Sequence, residues 1–171
     1  MLVSFQWLWL DGRWPAGALP AGTDQFNSLF EALRERFKAL YPEGGFVHFA
    51  SDAEAVEDRQ TVRFFEDLAS QAGIEPKYIA MKEIGVNGEG QFVDGEGFIL
   101  QAAFKLYPWE LMLREPYAAH LESAKVEWIE PPWKQVLSNK GMLPLLWQRH
   151  PGHPNLLEAY FEGESGASNL G

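Results

Sequence analysis

Short apolar runs alternate along the chain with longer stretches in which apolar residues recur at helical spacing. Apolar residues three and four positions apart predict helices over residues 26–40 and 57–72, the first opening at Asp24 as its N-cap. Short apolar, β-prone runs predict strands at residues 46–50, 77–81 and 126–129. Because strands and helices alternate, the sequence predicts an α/β fold with a mixed or mostly parallel sheet and flanking helices.

Weaker patterns predict further elements between and after these. The loop Asp94-Gly95-Glu96-Gly97 is rich in turn residues and lies between two apolar triplets, which predicts a hairpin over residues 91–100. A helix is expected from Pro108, since proline favours the first turn. The remaining predictions are a strand at 102–106, a helix or a pair of helical turns over 133–149 broken near Pro144, and a short helix at 156–161.

The predicted elements divide the chain into three segments. Residues 1–45 are expected to form a helical lead-in, with a hydrophobic helix or helix end at 1–10 and a loop rich in proline and glycine at 11–23. Residues 46–130 are expected to form the α/β domain. Residues 131–171 are expected to form a helical segment and loop.

Composition and charge exclude several classes of protein. The chain has 171 residues, 46% of them hydrophobic, which suits a folded protein of one domain. Its net charge of −10 argues against a nucleic-acid partner. No apolar run approaches the ~20 residues of a membrane helix, so no membrane span is expected. With no cysteine and no recognisable signal peptide, a cytoplasmic location is expected.

Few residues point to chemistry by their spacing alone. Neither common phosphate-binding loop is present. His150 and His153 lie in a proline-rich turn that suits structure better than metal binding. Glu57 and Asp58 open a predicted helix after a strand, where they either complement the helix dipole or form part of a ligand site at the end of the sheet. The acid excess of residues 51–100 is either a solvated face or an attraction for a cationic substrate such as a polyamine.

Five strings, spread along the chain in a constant order, resemble the glutathionylspermidine synthase family. They are DQFNSL at 24–29, VEDR at 56–59, FKLYPWELMLRE at 104–115, IEPPWKQVLSNKGMLPLLW at 129–147 and HPGHPNLLEAYF at 150–161. Members of this family are ATP-grasp acid–amine ligases. They activate a glutathione or peptide carboxylate as an acyl phosphate with ATP and magnesium, and then couple it to spermidine or a similar amine. The resemblance implies small-molecule substrates of these two kinds, and a fold like that of the domain on the substrate side, before the ATP-grasp lobe.

The resemblance also implies roles for three residues. A lysine in the family's N-K-[AG]-[IL]-L-P segment contacts nucleotide phosphates, and the matching residue here is Lys140. Acidic residues after the first strand of this region hold the amino end of the peptide in the family, and Glu57 and Asp58 are the corresponding residues. The resemblance therefore implies ATP binding at Lys140 and acid-substrate binding at Glu57 and Asp58.

The chain also departs from the family pattern. The family's magnesium ligands, in an R-x-D…E-x-N pattern, have no match, and neither does its second nucleotide lysine. We therefore expect a fragment of the ligase, either truncated or an incomplete gene product, which is not competent alone. The alternative is a non-catalytic binding or interaction module that retains the ligase-domain fold. Exposed apolar surface, for example at residues 7–9, would favour a homo-oligomer.

Overall fold

A computed structural model describes residues 20, 22 and 28–167 of the chain. The predicted helix at 1–10, the apolar patch at 7–9, the N-cap at Asp24 and nearly all of the predicted loop at 11–23 lie outside the described residues. Contacts within the chain divide it into two units, one ending at Glu130 and one beginning at Pro131, and each is described by itself. The three-segment division stays a prediction.

The first unit is built on a parallel sheet of four strands in the order β2-β1-β5-β6. A separate antiparallel pair joins β3 and β4. The prediction of an α/β fold with a mostly parallel sheet and flanking helices is confirmed. The elements are α1 (Leu29–Leu40), β1 (Gly45–Ser51), α2 (Val56–Gln71), β2 (Ile74–Ala80), β3 (Gly85–Val86), β4 (Phe92–Val93), β5 (Ala102–Leu106), α3 (Trp109–Met112) and β6 (Glu127–Ile129).

Strand β1 is buried on both faces, and its alternating residues belong to two different apolar clusters. Val47 and Phe49 pack in a cluster with Phe37 of α1 and Val62 and Leu68 of α2. Ala50 belongs to the cluster on the other face, which is completed by the β3–β4 pair, α3 and the segment around Tyr117. A central parallel strand that is covered on both faces has a nearly continuous apolar sequence. This is why the sequence pattern predicted β1.

Strand β2 is longer than predicted and begins at Ile74. It contains Pro76, which lies opposite Val47 in the register with β1. Because β2 is an edge strand of this sheet, it tolerates a proline, which has no backbone N–H to donate. The prediction began the strand after this proline and was therefore too short.

The predicted hairpin over residues 91–100 is confirmed. Leu100 N–H donates to Phe92 O at 2.9 Å, and Asp94 N–H donates to Phe98 O at 3.0 Å. The Asp94 side chain closes the turn, since its Oδ1 accepts the backbone N–H groups of Glu96 and Phe98, both at 2.9 Å. The sequence did not predict that the first arm of this hairpin also pairs with β3.

A buried polar cluster joins this turn to the sheet. Asp94 Oδ2 lies 2.6 Å from Lys77 Nζ on β2 and 3.3 Å from His48 Nε2 on β1. His48 is fully buried. Burial lowers the pKa of His48 despite its contact with Asp94. Burial alone would raise the pKa of Asp94, but hydrogen bonds from Lys77, Phe98, His48 and Glu96 together hold it well below its usual range.

The second unit contains α4 (Gln135–Ser138) and α5 (Met142–Arg149). Residues 133–149 were predicted as a helix or a pair of helical turns broken near Pro144, and the structure shows two helices with the break at 139–141. Pro144 lies in the first turn of α5, where its missing N–H costs no helical hydrogen bond. The predicted helix at 156–161 is wrong, because these residues adopt no regular structure.

The described part of the second unit exposes many large apolar side chains. They are Trp133, Val136, Leu137, Leu143, Leu145, Leu157 and Phe161. Whether they support a homo-oligomer stays a prediction.

No helix among the described residues is long and apolar enough to cross a membrane.

Candidate functional site

The four parallel strands of the sheet end on the same side, at Ser51, Ala80, Leu106 and Ile129. In parallel α/β sheets, the segments that follow the carboxyl ends of the strands form the usual ligand crevice. Here those segments carry polar, charged and aromatic side chains. We call this side of the first unit the carboxyl edge.

After β1 the chain turns at once into α2. Asp52 Oδ1 accepts the Glu54 backbone N–H at 3.0 Å, which bends the chain toward the helix. Glu57 and Asp58 occupy the first turn of α2, with Glu57 exposed and Asp58 half-buried. The structure therefore places both predicted substrate residues at the carboxyl edge, and the helix dipole favours their negative charge there.

Arg59, in the same VEDR string, takes a structural position that the sequence analysis missed. Its guanidinium lies 3.8 Å from the centre of the Tyr78 ring, and its Nη1 donates to Glu66 Oε2 at 2.6 Å. The Tyr78 hydroxyl is in turn 3.3 Å from Ser51 Oγ at the end of β1. This series of contacts links the start of α2 to the ends of β1 and β2, and so holds the carboxylates of the first turn in place.

The end of β5 holds Lys105, a second residue that the sequence analysis did not single out. The residue is only 8% exposed, and its Nζ donates to Tyr107 O at 2.7 Å and lies 4.1 Å from the Trp109 ring centre. Burial lowers the pKa of Lys105 to about 8, against the raising effect of Glu110 and Glu130. The sequence signal for a buried Lys105 is its position two residues after Ala103, which places both residues on the same face of the predicted strand.

Two hydrogen bonds fix the segment around Lys105. The Tyr107 hydroxyl donates to Glu115 Oε1 at 2.7 Å, and this contact raises the pKa of Tyr107. Trp109 Nε1 donates to Glu130 O at 3.1 Å, which ties the segment after β5 to the end of β6. The FKLYPWE string thus forms a packed strand-to-helix junction, in line with the predicted strand at 102–106 and the predicted helix from Pro108.

Lys140, the predicted nucleotide residue, lies in the second unit between α4 and α5 and is exposed. The N–H groups that open α5 are already bonded within the turn. Gly141 donates to Asn139 Oδ1 at 2.8 Å, Met142 to Asn139 O at 3.0 Å and Leu143 to Lys140 O at 3.1 Å. Lys140 can therefore offer a phosphate its ammonium group, but this turn does not form a phosphate cradle by itself.

Magnesium does not fit the described residues. Across positions 28–167, no group of three or more histidine, aspartate or glutamate side chains could hold a metal ion. His150 and His153 form a structured turn, in which His153 N–H donates to His150 O at 3.2 Å and His153 Nδ1 accepts the Asn155 N–H at 3.2 Å.

Comparison with known proteins reveals several relatives. A protein of Haemophilus influenzae that is named as an acid–amine ligase is 39% identical over 142 residues, which cover 81% of this chain and 36% of that protein. Trypanothione synthetase of Crithidia fasciculata is 30% identical over 141 residues, or 69% of this chain and 22% of the enzyme. The bifunctional glutathionylspermidine synthetase/amidase of Escherichia coli is 29% identical over 140 residues, which cover 68% of this chain and 22% of that enzyme.

The chain thus spans between about a fifth and just over a third of the length of these relatives. Residues 2–170 match the family described as glutathionylspermidine synthase preATP-grasp. This match covers almost the whole chain and agrees with the parallel sheet, and the resemblance found in the five strings is confirmed. The chain belongs to the glutathionylspermidine synthase preATP-grasp family.

Proposed function

We propose that this chain is the preATP-grasp part of an ATP-dependent carboxylate–amine ligase and that it receives the acid substrate at the carboxyl edge. The observation that carries the proposal is the family match over residues 2–170, together with relatives named for glutathionylspermidine and trypanothione synthesis. We take the acid to be glutathione or another peptide carboxylate, and the amine to be a polyamine or a similar amine. ATP and magnesium would activate the acid as an acyl phosphate.

The role proposed for the first unit is to bind the free amino end of the peptide. Glu57 and Asp58 present negative charge at the first turn of α2. The Arg59–Tyr78–Ser51 contacts hold that turn against the ends of two strands. A peptide ammonium held there would gain charge-assisted hydrogen bonds, which are about twice as strong as neutral ones. No step of the activation is assigned to the described residues, because they do not provide a metal site.

Titration of glutathione into the full chain tests this proposal. We expect the double variant Glu57→Gln/Asp58→Asn to bind at least about tenfold more weakly, because each carboxylate lost removes a charge-assisted contact worth about 1.5–3 kcal/mol. The matched control is Glu43→Gln/Glu75→Gln, which removes two exposed charges beside the opposite ends of β1 and β2. If both double variants bind glutathione equally weakly, the loss of affinity follows from the change in net charge alone, and the proposal is contradicted.

The same samples test whether the chain catalyses the ligase reaction by itself. With ATP, magnesium, glutathione and spermidine present, we expect ADP release by the chain alone to stay far below an ordinary enzyme rate of ~1 per second. Turnover at that rate would show that residues 1–171 are sufficient for the whole reaction.

We propose that Lys140 contacts a nucleotide phosphate, and a pair of variants tests this role. Lys140→Ala is expected to weaken ATP binding by roughly 10- to 150-fold, the value of one charge-assisted contact. Lys134→Ala removes the same charge from the same unit and is expected to change affinity less than about twofold. Calorimetric dissociation constants at one salt concentration decide the question. Agreement of the two variants within about twofold would remove Lys140 from the proposed nucleotide site.

A further inference from the structure

Lys105 is the most deeply buried cation among the described residues, and its partners satisfy it only in part. A lysine ammonium has three N–H donors. Here Nζ donates once, to the neutral carbonyl of Tyr107 at 2.7 Å, and rests on the face of Trp109 at 4.1 Å. In the described part of the chain, no carboxylate forms an ion pair or hydrogen bond with it, and Glu110 and Glu130 compensate its charge only from a longer distance. Burying a charge in this way is costly unless an opposite charge compensates.

The position of Lys105 is that of a ligand-binding residue. It lies on β5, next to β1, and at the carboxyl edge where this class of sheet binds ligands. Trp109 holds the following segment against the end of β6 through its hydrogen bond to Glu130 O at 3.1 Å. The ammonium is therefore held in one place by packing, which is the arrangement that a specific charged contact requires.

We propose that Lys105 binds a carboxylate group of the acid substrate. This inference rests on the proposed function and adds to it the residue that takes up the negative charge of the acid. A single ammonium complements a singly charged carboxylate. A phosphate with about two charges normally needs more cations or a set of backbone N–H groups. The nearby Glu110 and Glu130 repel any anion, but they repel a doubly charged phosphate more strongly than a singly charged carboxylate.

The proposal predicts that binding weakens at alkaline pH. Among the described residues, the charged groups that act on Lys105 are Glu110 from α3 and Glu130 after β6, while β1 places uncharged Ala50 opposite it. Burial lowers the pKa of Lys105 to about 8 in the free chain. A bound carboxylate favours the charged form and raises that pKa. Affinity should therefore be constant well below pH 8 and fall as the pH rises through about 8.

The test uses glutathione as the probe and the full chain. Lys105→Met keeps the unbranched stem against Trp109 and removes the charge. We expect it to bind glutathione at least about tenfold more weakly and to lose the alkaline fall in affinity. The control Lys82→Met removes an exposed lysine that follows β2 and lies 3.6 Å from Glu54, and should change affinity less than about twofold. Glutathione diethyl ester should bind the natural chain as weakly as glutathione binds Lys105→Met, whereas inorganic phosphate should not compete.

A second measurement does not depend on any variant. Carbon NMR of the lysine side chains in the natural chain should show the pKa of Lys105 rising when glutathione is added. If Lys105→Met fails to fold, this titration decides, and an unmoved Lys105 pKa overturns the inference. If the natural chain binds glutathione but Lys105→Met binds it equally well, the inference fails and the proposed function stands. If the natural chain does not bind glutathione at all, both fail. Competition by phosphate at the same site would overturn the assignment to a carboxylate.

Discussion

Replacing Phe49 with alanine is expected to lower the free energy of unfolding by about 3–5 kcal/mol, the usual loss for a fully buried phenylalanine. Phe49 is 0% exposed at the centre of β1. Its ring centre lies 6.2 Å from that of Phe37 on α1 and 5.7 Å from that of Phe104 on β5. Because helix and strand neighbours enclose the ring from several sides, the structure cannot collapse into the space that its removal leaves.

The control for this prediction is Val56→Ala in the same unit. Val56 is 72% exposed in the first turn of α2, so its truncation should change stability by no more than about 0.5 kcal/mol. Urea unfolding followed by circular dichroism measures both variants. A loss below about 1 kcal/mol for Phe49→Ala would contradict the central position of β1 in the sheet.

Asp94→Ala is expected to cost about 2–4 kcal/mol of stability. The change removes the acceptor for the backbone N–H groups of Glu96 and Phe98, and also the partner of Lys77 and His48. Unpaired buried groups cost about 1–3 kcal/mol each, but Lys77 is partly exposed and can still reach Glu96 and water. Glu96→Ala is the matched control, since its exposed carboxylate also contacts Lys77, at 3.1 Å, and its loss should cost less than about 1 kcal/mol.

The same cluster makes the natural chain sensitive to acid. The pKa of Asp94 is lower in the folded chain than its ordinary value of 3.8, and the pKa of His48 is lower than 6.5. In both cases the unfolded chain binds more protons, so stability rises with pH through these ranges. The contribution of His48 is complete above about pH 6.5 and is lost as pH falls below it, and that of Asp94 is lost below about pH 4. In Asp94→Asn, the loss of stability below about pH 4 should disappear. Free energies of unfolding measured from pH 3 to pH 8 would show whether it does.

The elements predicted most accurately are those whose signal is local. Strand β1 and helix α2 were placed to within about one residue, because a continuous apolar run and a helical stripe each follow from burial of the chain's own side chains. The Asp94–Gly97 turn was also predicted from its residues, since Asp94 closes it by bonding to nearby backbone N–H groups. Elements that depend on the surroundings were predicted less well, such as the non-helical segment at 156–161.

The sequence by itself determined the family, the α/β class and the position of Glu57 and Asp58 after the first strand. Only the tertiary structure decided that β5 lies between β1 and β6, and that order is what buries Lys105 beside Trp109 and brings Glu130 near. It likewise brought Asp94 to His48, 46 residues away in sequence. Local patterns record which face of an element is apolar, but a pKa or an ion pair depends on which distant elements pack together, and that is set by the topology of the sheet.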